Sequence, residues 1–176
     1  MKAKLLAILA LLLIPLLYGE IKNEINFEEV APGPDYFLVT KVVDGDTIKV
    51  KINSEIETIR LIGIDTPETV DPRKTVQCFG LEASTKAKQM LAGKWVRLEA
   101  DYSQDDRDSY DRLLRYVYLE DGAFFNKYMI SEGFAHEYTY KSNPYLYQAD
   151  FIAAENEARI NELGLWHPDS CNGYTE

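Results

Sequence analysis

Three runs of β-forming residues follow one another closely between residues 36 and 64. The runs are YFLVTKVV, DTIKVKI and IETIRLIGI, and tight-turn sequences, Asp44-Gly45 and Asn53-Ser54, stand at their junctions. Val, Ile, Thr, Tyr and Phe favour strands, whereas Asp, Asn, Gly and Ser favour turns. This part of the chain therefore predicts three consecutive antiparallel strands, at about 36–43, 46–52 and 56–64.

Helices and strands alternate through the rest of the chain. Apolar residues at roughly helical spacing, followed by Gly93 as a stop, predict a helix at about 79–92. Two further strands, KWVRLEAD and LLRYVYLE, flank a polar loop. The segments AFFNKYMISEGFA and YLYQADFIAAENEARINELG, which begin at residues 123 and 145, predict two C-terminal helices that end at Gly133 and Gly164. The order β-β-β-α-β-β-α-α predicts a mixed α+β domain in which five short strands close into a small barrel.

Polar side chains flank the apolar run of the third strand, in RLIGIDTPET at residues 60–69. If strands two and three form a hairpin about Asn53-Ser54, residues whose numbers sum to about 107 face each other, and Asp46 lies beside Arg60. Strict alternation would send Asp65 to the opposite face from Arg60. A shared site therefore requires a bend or bulge near Gly63.

Hard oxygen donors dominate this region. Asp46, Asp65 and a loop carbonyl such as that of Thr66 suit calcium or magnesium, and they do not suit zinc without nearby His or Cys. Asp-Gly-Asp-Thr is also an ordinary turn sequence. The stretch alone therefore does not establish a metal site.

Four segments together resemble a known family. VVDGDTIKV, IRLIGIDTPET, YDRLLRYVY and GFAHEYTY stand in the order and spacing of the thermonuclease family, that of staphylococcal nuclease. The resemblance covers about residues 36–168. It implies a five-stranded OB-fold β-barrel with three α-helices. It also implies calcium-dependent hydrolysis of DNA and RNA at the 5′ P–O bond, which leaves 3′-phosphate ends.

The resemblance also implies roles for nine residues. They are the metal ligands Asp46, Asp65 and Thr66 (through its carbonyl), the catalytic Arg60, Arg112 and Glu68 (the last as general base), and the substrate-binding Tyr110, Tyr138 and Tyr140. Attack of water on a phosphodiester builds negative charge, which calcium and two arginines would stabilise. Tyrosine faces stack on any base, so we expect single-stranded or frayed DNA and RNA as substrates, with weak sequence preference.

One departure from the family pattern lies beside the second arginine. Asp111 stands where the pattern commonly has Gly, after a loop that contains Asp105, Asp106 and Asp108. Asp tolerates a left-handed backbone, so the turn can survive. Its charge could still divert Arg112 into a salt bridge. The loop could instead hold a second cation, although a solvated acidic loop is the simpler interpretation. Gly63 also stands where a larger apolar residue is expected.

The N-terminal sequence predicts export. Residues 1–19 combine Lys2 and Lys4 with an apolar run from Leu5 to Leu17, which fits a secretory signal peptide better than a spanning helix of about 20 residues. An uncleaved anchor stays open, because Leu17 poorly matches the small-residue rule for a cut after Gly19. Residues 20–35 are interpreted as a flexible tether, 36–170 as the nuclease domain and 171–176 as a C-terminal tail. We expect a secreted monomer, attached to a membrane only if the anchor persists.

The chain is acidic for a protein that would bind nucleic acid. Its net charge is −10, and loss of residues 1–19 would remove two lysines and no acidic residue, leaving −12. Such a surface repels polyanions at long range. Attraction must then be local, from calcium, Arg60 and Arg112, with Arg73 and Lys74 as further candidates.

Two cysteines, Cys78 and Cys171, are present. In an exported protein they predict a disulfide, with two separate thiols as the alternative.

Three functional classes stay open. The favoured one is an exported phosphodiesterase, because all five polar positions are present, namely Asp46, Arg60, Asp65, Glu68 and Arg112. The second is a non-catalytic OB-fold nucleic-acid-binding module, which Asp111 keeps open. The third is an extracellular calcium-binding domain.

Overall fold

The computed structural model describes residues 31–71, 73 and 75–175. The predicted signal peptide or anchor at 1–19, and the predicted tether up to residue 30, lie outside the described residues. At the start of the described chain the Tyr36 amide donates a hydrogen bond to the Gly33 carbonyl, 3.2 Å away. None of the helices in the described part is long and apolar enough to cross a membrane.

A closed barrel of five strands forms the centre of the domain. Its strands are β1 (Tyr36–Val42), β2 (Thr47–Ile52), β3 (Glu55–Leu61), β5 (Trp95–Glu99) and β6 (Leu113–Leu119). Around the barrel they neighbour one another in the order β1-β2-β3-β6-β5. Strand β3 pairs with β6 in parallel, whereas the other barrel pairs are antiparallel. Two short strands outside the barrel, β4 (Ile64–Asp65) and β7 (His136–Glu137), pair with each other.

In the described part of the chain, three α-helices accompany the barrel. They are α1 (Gly80–Leu91), α2 (Phe125–Ser131) and α3 (Gln148–Ile160). Ala83, Ala87 and Leu91 recur every four residues along α1 and are fully buried, so the helix turns one apolar face to the core. The prediction of an α+β domain with a five-stranded barrel and three helices is confirmed.

The hairpin of β2 and β3 has the predicted register. Thr47 faces Arg60 and Ile48 faces Ile59. Asn53 and Ser54 form the connection with φ values of 48° and 74°, the left-handed conformation that a two-residue hairpin turn requires. Ile48 and Ile59 are fully buried inside the barrel, so the register also fixes which side chains fill the core.

The third strand is shorter than predicted because the chain turns at Gly63. Strand β3 ends at Leu61, and β4 begins at Ile64. Gly63 has φ +78°, and a Cβ there would lie 2.7 Å from the Tyr145 ring. Glycine at this position therefore allows both the backbone turn and the close packing of an aromatic ring. A larger apolar residue would not fit.

The two C-terminal helices are also shorter than predicted. The sequence predicts helix α3 from about residue 145, but α3 begins at Gln148. The Leu146 amide instead donates to the carboxylate of Asp101, 2.7 Å away. Residues 145–148 form a turn, closed by a bond from the Gln148 amide to the Tyr145 carbonyl at 3.1 Å, and a side chain 45 positions away binds this turn just before the helix.

The C-terminal segment is fastened to the domain. Cys78 and Cys171 form the predicted disulfide, with their Cα atoms 5.9 Å apart. The Cys78 amide also donates to the Thr175 carbonyl at 3.1 Å. Residues 171–175, which were expected to form a tail, are therefore bonded to the segment that precedes α1. For a loop of this length the chain-entropy model gives the disulfide about 4 to 5 kcal/mol of stabilisation.

Candidate active site

Asp46 lies in the turn before β2, with only 6 % of its surface exposed. Its Oδ2 accepts hydrogen bonds from the Thr66 amide at 2.9 Å and from the Thr66 hydroxyl at 3.1 Å. Its Oδ1 accepts one from the Thr47 hydroxyl at 2.9 Å. One buried carboxylate thus joins the start of β2 to the loop that follows β4.

Arg60, on β3, lies between two carboxylates. Its Nε is 3.3 Å from Asp46 Oδ1, and its Nη2 is 3.1 Å from Asp65 Oδ1. Its Nη1 donates to the backbone carbonyls of Leu61 and Ile64 at 2.7 Å each. The turn at Gly63 therefore brings Asp65 to the same side as Arg60, as the sequence required for a shared site.

Asp44 is a site residue that the sequence interpretation used only as a turn former. Its Oδ1 accepts a hydrogen bond from the Asp46 amide at 3.1 Å. Burial and the neighbouring Asp46 charge raise the pKa of Asp44 to about 7. The signal for it was present, because Asp44 and Asp46 stand two positions apart around one glycine in Asp-Gly-Asp.

These residues line a pocket of about 220 Å³, which we call the acidic pocket. Its lining consists of Asp44, Asp46, Thr47, Arg60, Asp65, Thr66, Pro67, Glu68 and Arg112. The lining includes four carboxylates and neither His nor Cys. The donors therefore suit a hard cation such as calcium or magnesium rather than zinc.

Oxygen atoms other than carboxylates would have to complete a metal site here. Among the residues that the structure describes, no three His, Cys, Asp or Glu side chains are arranged to hold a metal ion together. Calcium takes six to eight oxygen ligands and accepts backbone carbonyls and water. The Asp46 and Asp65 carboxylates with the Thr66 carbonyl and water are a donor set of that kind. A cation would also favour the ionised form of Asp44, whose pKa is raised by burial and by the Asp46 charge.

Glu68 also lines the acidic pocket, from a loop. Its Oε1 accepts three backbone hydrogen bonds, from the amides of Thr69, Val70 and Asp71 at 2.8, 2.7 and 3.1 Å. These bonds fix the direction of the side chain and leave Oε2 outside that ring of amides. Glu68 is therefore oriented by its own loop.

A second, larger pocket of about 750 Å³ adjoins the first, and we call it the groove. The three predicted substrate-binding tyrosines line it, and their exposed fractions are 80 % for Tyr110, 41 % for Tyr138 and 51 % for Tyr140. Arg60, Asp65 and Arg112 line both the groove and the acidic pocket. Both pockets thus meet at two guanidinium groups and one carboxylate.

The sequence interpretation missed several residues of the groove wall. They include Gln104, Lys141 and Asn143. The Asn143 side-chain amide donates to Gln104 Oε1 at 3.2 Å, so two distant loops meet in this wall. No local pattern could have shown that contact, because it spans 39 positions.

Comparison with known proteins assigns the chain to a family. Residues 58–168 match the family model described as staphylococcal nuclease homologue. The chain belongs to the staphylococcal nuclease family. It is 37 % identical over 161 residues to the thermonuclease of Staphylococcus intermedius, an alignment that covers 90 % of this chain and 94 % of that protein.

Two further relatives in this comparison are also nucleases by name. The SPbeta prophage-derived endonuclease YokF of Bacillus subtilis is 42 % identical over 135 residues, which cover 76 % of this chain and 44 % of that protein. The thermonuclease of Staphylococcus hyicus is 39 % identical over 130 residues, which cover 74 % and 75 %. The resemblance to the thermonuclease family is confirmed.

Arg112 of this staphylococcal nuclease homologue is bound by a different carboxylate from the one expected. Its Nε and Nη2 lie 2.7 and 2.6 Å from Asp108 Oδ2. Asp111 has φ 63°, as the left-handed turn requires, and its carboxylate lies 3.6 Å from Arg107 Nε. The sequence left open whether Asp111 diverts Arg112 into a salt bridge; in the structure the turn directs Asp111 toward Arg107, and Asp108 binds Arg112 instead.

The acidic loop is largely neutralised by arginines. Asp106 pairs with Arg115 at 2.6 Å, in addition to the pairs of Asp108 and Asp111. Arg107 also makes two bonds of 3.0 Å to Glu57 on β3. The loop is therefore held on the barrel by ion pairs that disfavour a second cation, while Asp105, Asp106 and Asp111 stay exposed to solvent.

Of the two further candidates for local positive charge, Arg73 is described and Lys74 lies outside the described residues. Arg73 pairs with Asp71 through Nη2 at 2.8 Å, and its side chain is 86 % exposed. It lines neither the acidic pocket nor the groove. The positive charge at the junction of the pockets therefore comes from Arg60 and Arg112.

Proposed function

We propose that this chain is an exported, calcium-dependent nuclease that hydrolyses DNA and RNA at the 5′ P–O bond and leaves 3′-phosphate ends. One observation carries the proposal, namely that Arg60, Asp65 and Arg112 line both the acidic pocket and the groove. A nucleotide whose base stacked in the groove would present its phosphate at two guanidinium groups. The thermonuclease and endonuclease relatives support the same activity.

Calcium would be held by the carboxylates of Asp46 and Asp65 and by the Thr66 carbonyl. When bound, it supplies positive charge to a phosphate oxygen and so stabilises the pentacovalent transition state. The structure supports this choice of ligands through the oxygen-rich lining of the acidic pocket and the absence of His and Cys from it.

Arg60 and Arg112 would stabilise the excess negative charge on the non-bridging oxygens. Guanidinium groups donate two parallel hydrogen bonds to a phosphate, which the point charge of lysine does not do. Without substrate, Arg112 binds Asp108 and Arg60 binds Asp46 and Asp65. Substrate binding would therefore exchange part of these carboxylate contacts for phosphate contacts.

Glu68 would take a proton from the attacking water or orient that water. The three hydrogen bonds that backbone amides donate to its Oε1 hold the carboxylate in one direction on the wall of the acidic pocket. General-base action of this kind typically contributes a factor of about 10² to 10⁴ in rate. Removal of the basic oxygen should therefore lower the rate by a factor in that range.

The exposed tyrosines favour unpaired substrates. Tyr110, Tyr138 and Tyr140 present ring surface to solvent along the groove. Stacking of one base on such a ring contributes about 1 to 3 kcal/mol and needs a base that has left its duplex stack. Single-stranded or frayed DNA and RNA are the substrates that meet this condition, and a monomer suffices to bind them.

The disulfide supports the exported part of the proposal. Bonds such as that between Cys78 and Cys171 persist in oxidising compartments and are rare in the cytosol. The N-terminal run of apolar residues points in the same direction. Secretion follows if residues 1–19 are cleaved, and attachment to the outer face of a membrane follows if they are retained.

A Glu68→Gln variant separates the nuclease from the two other functional classes. We expect calcium affinity, measured by titration calorimetry, to stay within about threefold, because Glu68 is not among the proposed ligands. Cleavage of single-stranded DNA should fall by a factor of about 10² to 10⁴. Full cleavage by the variant would refute the role of Glu68. Saturable calcium and oligonucleotide binding by the wild type, without any cleavage, would indicate a binding module.

A further inference from the structure

The backbone of Glu68 is bound on both sides by one residue. The Gln77 amide donates to the Glu68 carbonyl at 2.9 Å. The Gln77 side-chain Oε1 accepts a hydrogen bond from the Glu68 amide at 2.7 Å. Gln77 therefore fixes both polar groups of the peptide backbone that carries the Glu68 side chain.

Gln77 is itself anchored through the residue that follows it. Cys78 is bonded to Cys171, and its amide donates to the Thr175 carbonyl at 3.1 Å. Cys171 is 8 % exposed whereas Cys78 lies at the surface, so the disulfide ties an exposed segment to a buried cysteine of the domain. On the other side of Gln77, Val76 is 53 % exposed and offers little packing. The support of Gln77 therefore comes from the disulfide side.

The start of helix α1 packs closely against the loop that contains Glu68 and Thr69. A Cβ at Gly80 would lie 2.7 Å from Thr69 Cγ2 and 3.2 Å from the Glu68 carbonyl oxygen. The Gly80 amide donates to the Gln77 carbonyl at 3.0 Å. Because α1 is fixed to the core by its buried face, Gln77 connects Glu68 to a rigid part of the molecule.

The amides of its own loop orient the Glu68 side chain; we propose that Gln77 is a positioning residue for the Glu68 backbone and that the Cys78–Cys171 disulfide holds Gln77 in place. This inference rests on the proposed role of Glu68 in activating water. Gln77 lines neither the acidic pocket nor the groove, so it acts through Glu68 rather than on the substrate. A misplacement of about 1 Å can cost a rate factor on the order of 10².

Substitutions at Gln77 test the hydrogen bond directly. Gln77→Met keeps the length of the side chain and removes the acceptor, and we expect kcat to fall by a factor of about 10 to 100. KM and calcium affinity should stay within about twofold. Gln77→Glu keeps an acceptor for the Glu68 amide, and its kcat should stay within about threefold of the wild-type value. Gln89→Met makes the same change on the exposed face of α1 and should leave kcat unchanged.

Combination with Glu68→Gln distinguishes positioning from general stability. If Gln77 acts through Glu68, Gln77→Met should cause no further loss in the Glu68→Gln background. The pair Cys78→Ser and Cys171→Ser should likewise lower kcat in the wild-type background and not in the Glu68→Gln background. All rates are measured at a temperature below the melting temperature of every variant, so that a loss of kcat does not reflect a loss of folded protein.

The outcomes separate this inference from the proposed function. Wild-type kcat in Gln77→Met, together with a large loss in Glu68→Gln, would overturn the positioning role and leave the proposed function intact. Equal losses from Gln77→Met in both backgrounds would show a general structural role and would also overturn it. Full activity of Glu68→Gln would refute the proposed role of Glu68, whatever Gln77→Met does.

Discussion

At the scale of one residue, the positive charge of Arg60 is fixed in position by its contacts and still reaches the pocket surface. Its guanidinium contacts two carboxylates and two backbone carbonyls, and its side chain is 13 % exposed. Five N–H groups in a planar fork allow the guanidinium to keep its two backbone contacts while it exchanges carboxylate contacts for a phosphate, whereas an ammonium has three donors around one point. The identity of the side chain matters here more than its charge.

Arg60→Lys should therefore impair cleavage strongly although it preserves the charge. We expect kcat to fall by a factor of about 10² to 10³, the usual effect of removing one donor from a transition-state site. The matched control is Arg97→Lys on β5, where Arg97 pairs with Glu99 outside both pockets. Single-turnover cleavage of single-stranded DNA measures the effect. A loss in the control as large as that in Arg60→Lys would contradict the account.

Asp108 competes with the substrate for Arg112, so its charge should weaken substrate binding. Asp108→Asn keeps an acceptor for the amides of Tyr110 and Arg112 and removes the ion pair. Because a partly exposed pair is worth about 0.2 to 1 kcal/mol, we expect KM to fall by a factor of up to about five. Asp106→Asn removes the same charge from the same loop without contacting Arg112 and is the control. An equal fall in KM in both variants would point to net charge instead.

At the scale of elements, much of the fold could be predicted because it depends on local patterns. The alternation along β2 and β3 fixed the register, and the turn residues at 53 and 54 fixed the hairpin. The geometry at Gly63 followed from the requirement that Arg60 and Asp65 share a site. The start of α3 could not be predicted, because a carboxylate 45 positions away binds the Leu146 amide.

The candidate site divides in the same way between local and distant information. Asp46, Arg60 and Asp65 are brought together by one hairpin and one turn, so their spacing in sequence was informative. The partner of Arg112 depends on how a single loop folds over three ion pairs, so the sequence could not show that Asp108 rather than Asp111 binds it. The contact between Gln104 and Asn143 in the groove wall depends on two distant loops.

The turn between β3 and β4 should tolerate no side chain at residue 63. Gly63→Ala combines a left-handed φ with a Cβ 2.7 Å from the Tyr145 ring, so we expect a loss of about 2 to 4 kcal/mol in the free energy of unfolding. Gly93→Ala has a similar φ of +69° and no atom within 4 Å of the added Cβ. It should cost only about 1 kcal/mol. Urea denaturation measures both, and equal losses would contradict the packing argument.

The buried carboxylate of Asp101 should make stability depend on pH. Burial raises the pKa of this carboxyl, but bonds from the Leu146 amide, the Tyr116 hydroxyl and Ser103 outweigh burial and hold the pKa below its ordinary value. Asp101→Asn should cost about 1.5 to 3 kcal/mol at pH 7. Because the pKa is lower in the folded state, this contribution is complete above about pH 4 and is lost as pH falls further.

Urea denaturation at pH 7 and pH 3, followed by tryptophan fluorescence, tests this dependence. The difference in unfolding free energy between wild type and Asp101→Asn should be smaller at pH 3 than at pH 7. Asp121→Asn is the control, since Asp121 is exposed and its side chain accepts one backbone bond, from the Ala123 amide. A difference that grows at low pH would show that the folded state does not favour the ionised Asp101.

At the scale of the whole molecule, a strongly acidic chain must act on a polyanion. The net charge of the chain is −10, and three arginines at the acidic loop form ion pairs with aspartates of that loop. Long-range attraction to DNA is therefore weak, and capture depends on charge at the junction of the acidic pocket and the groove. In this account a cation is needed both to bind substrate and to cleave it.

Digestion of single-stranded DNA by residues 20–176, with calcium and with a chelator, tests that account most directly. The ends of the products are identified by labelling that distinguishes 3′-phosphates from 5′-phosphates. We predict cleavage with calcium, none with chelator, and products that carry 3′-phosphates. Cleavage that persists in chelator, or products that carry 5′-phosphates, would contradict the proposed site and its chemistry.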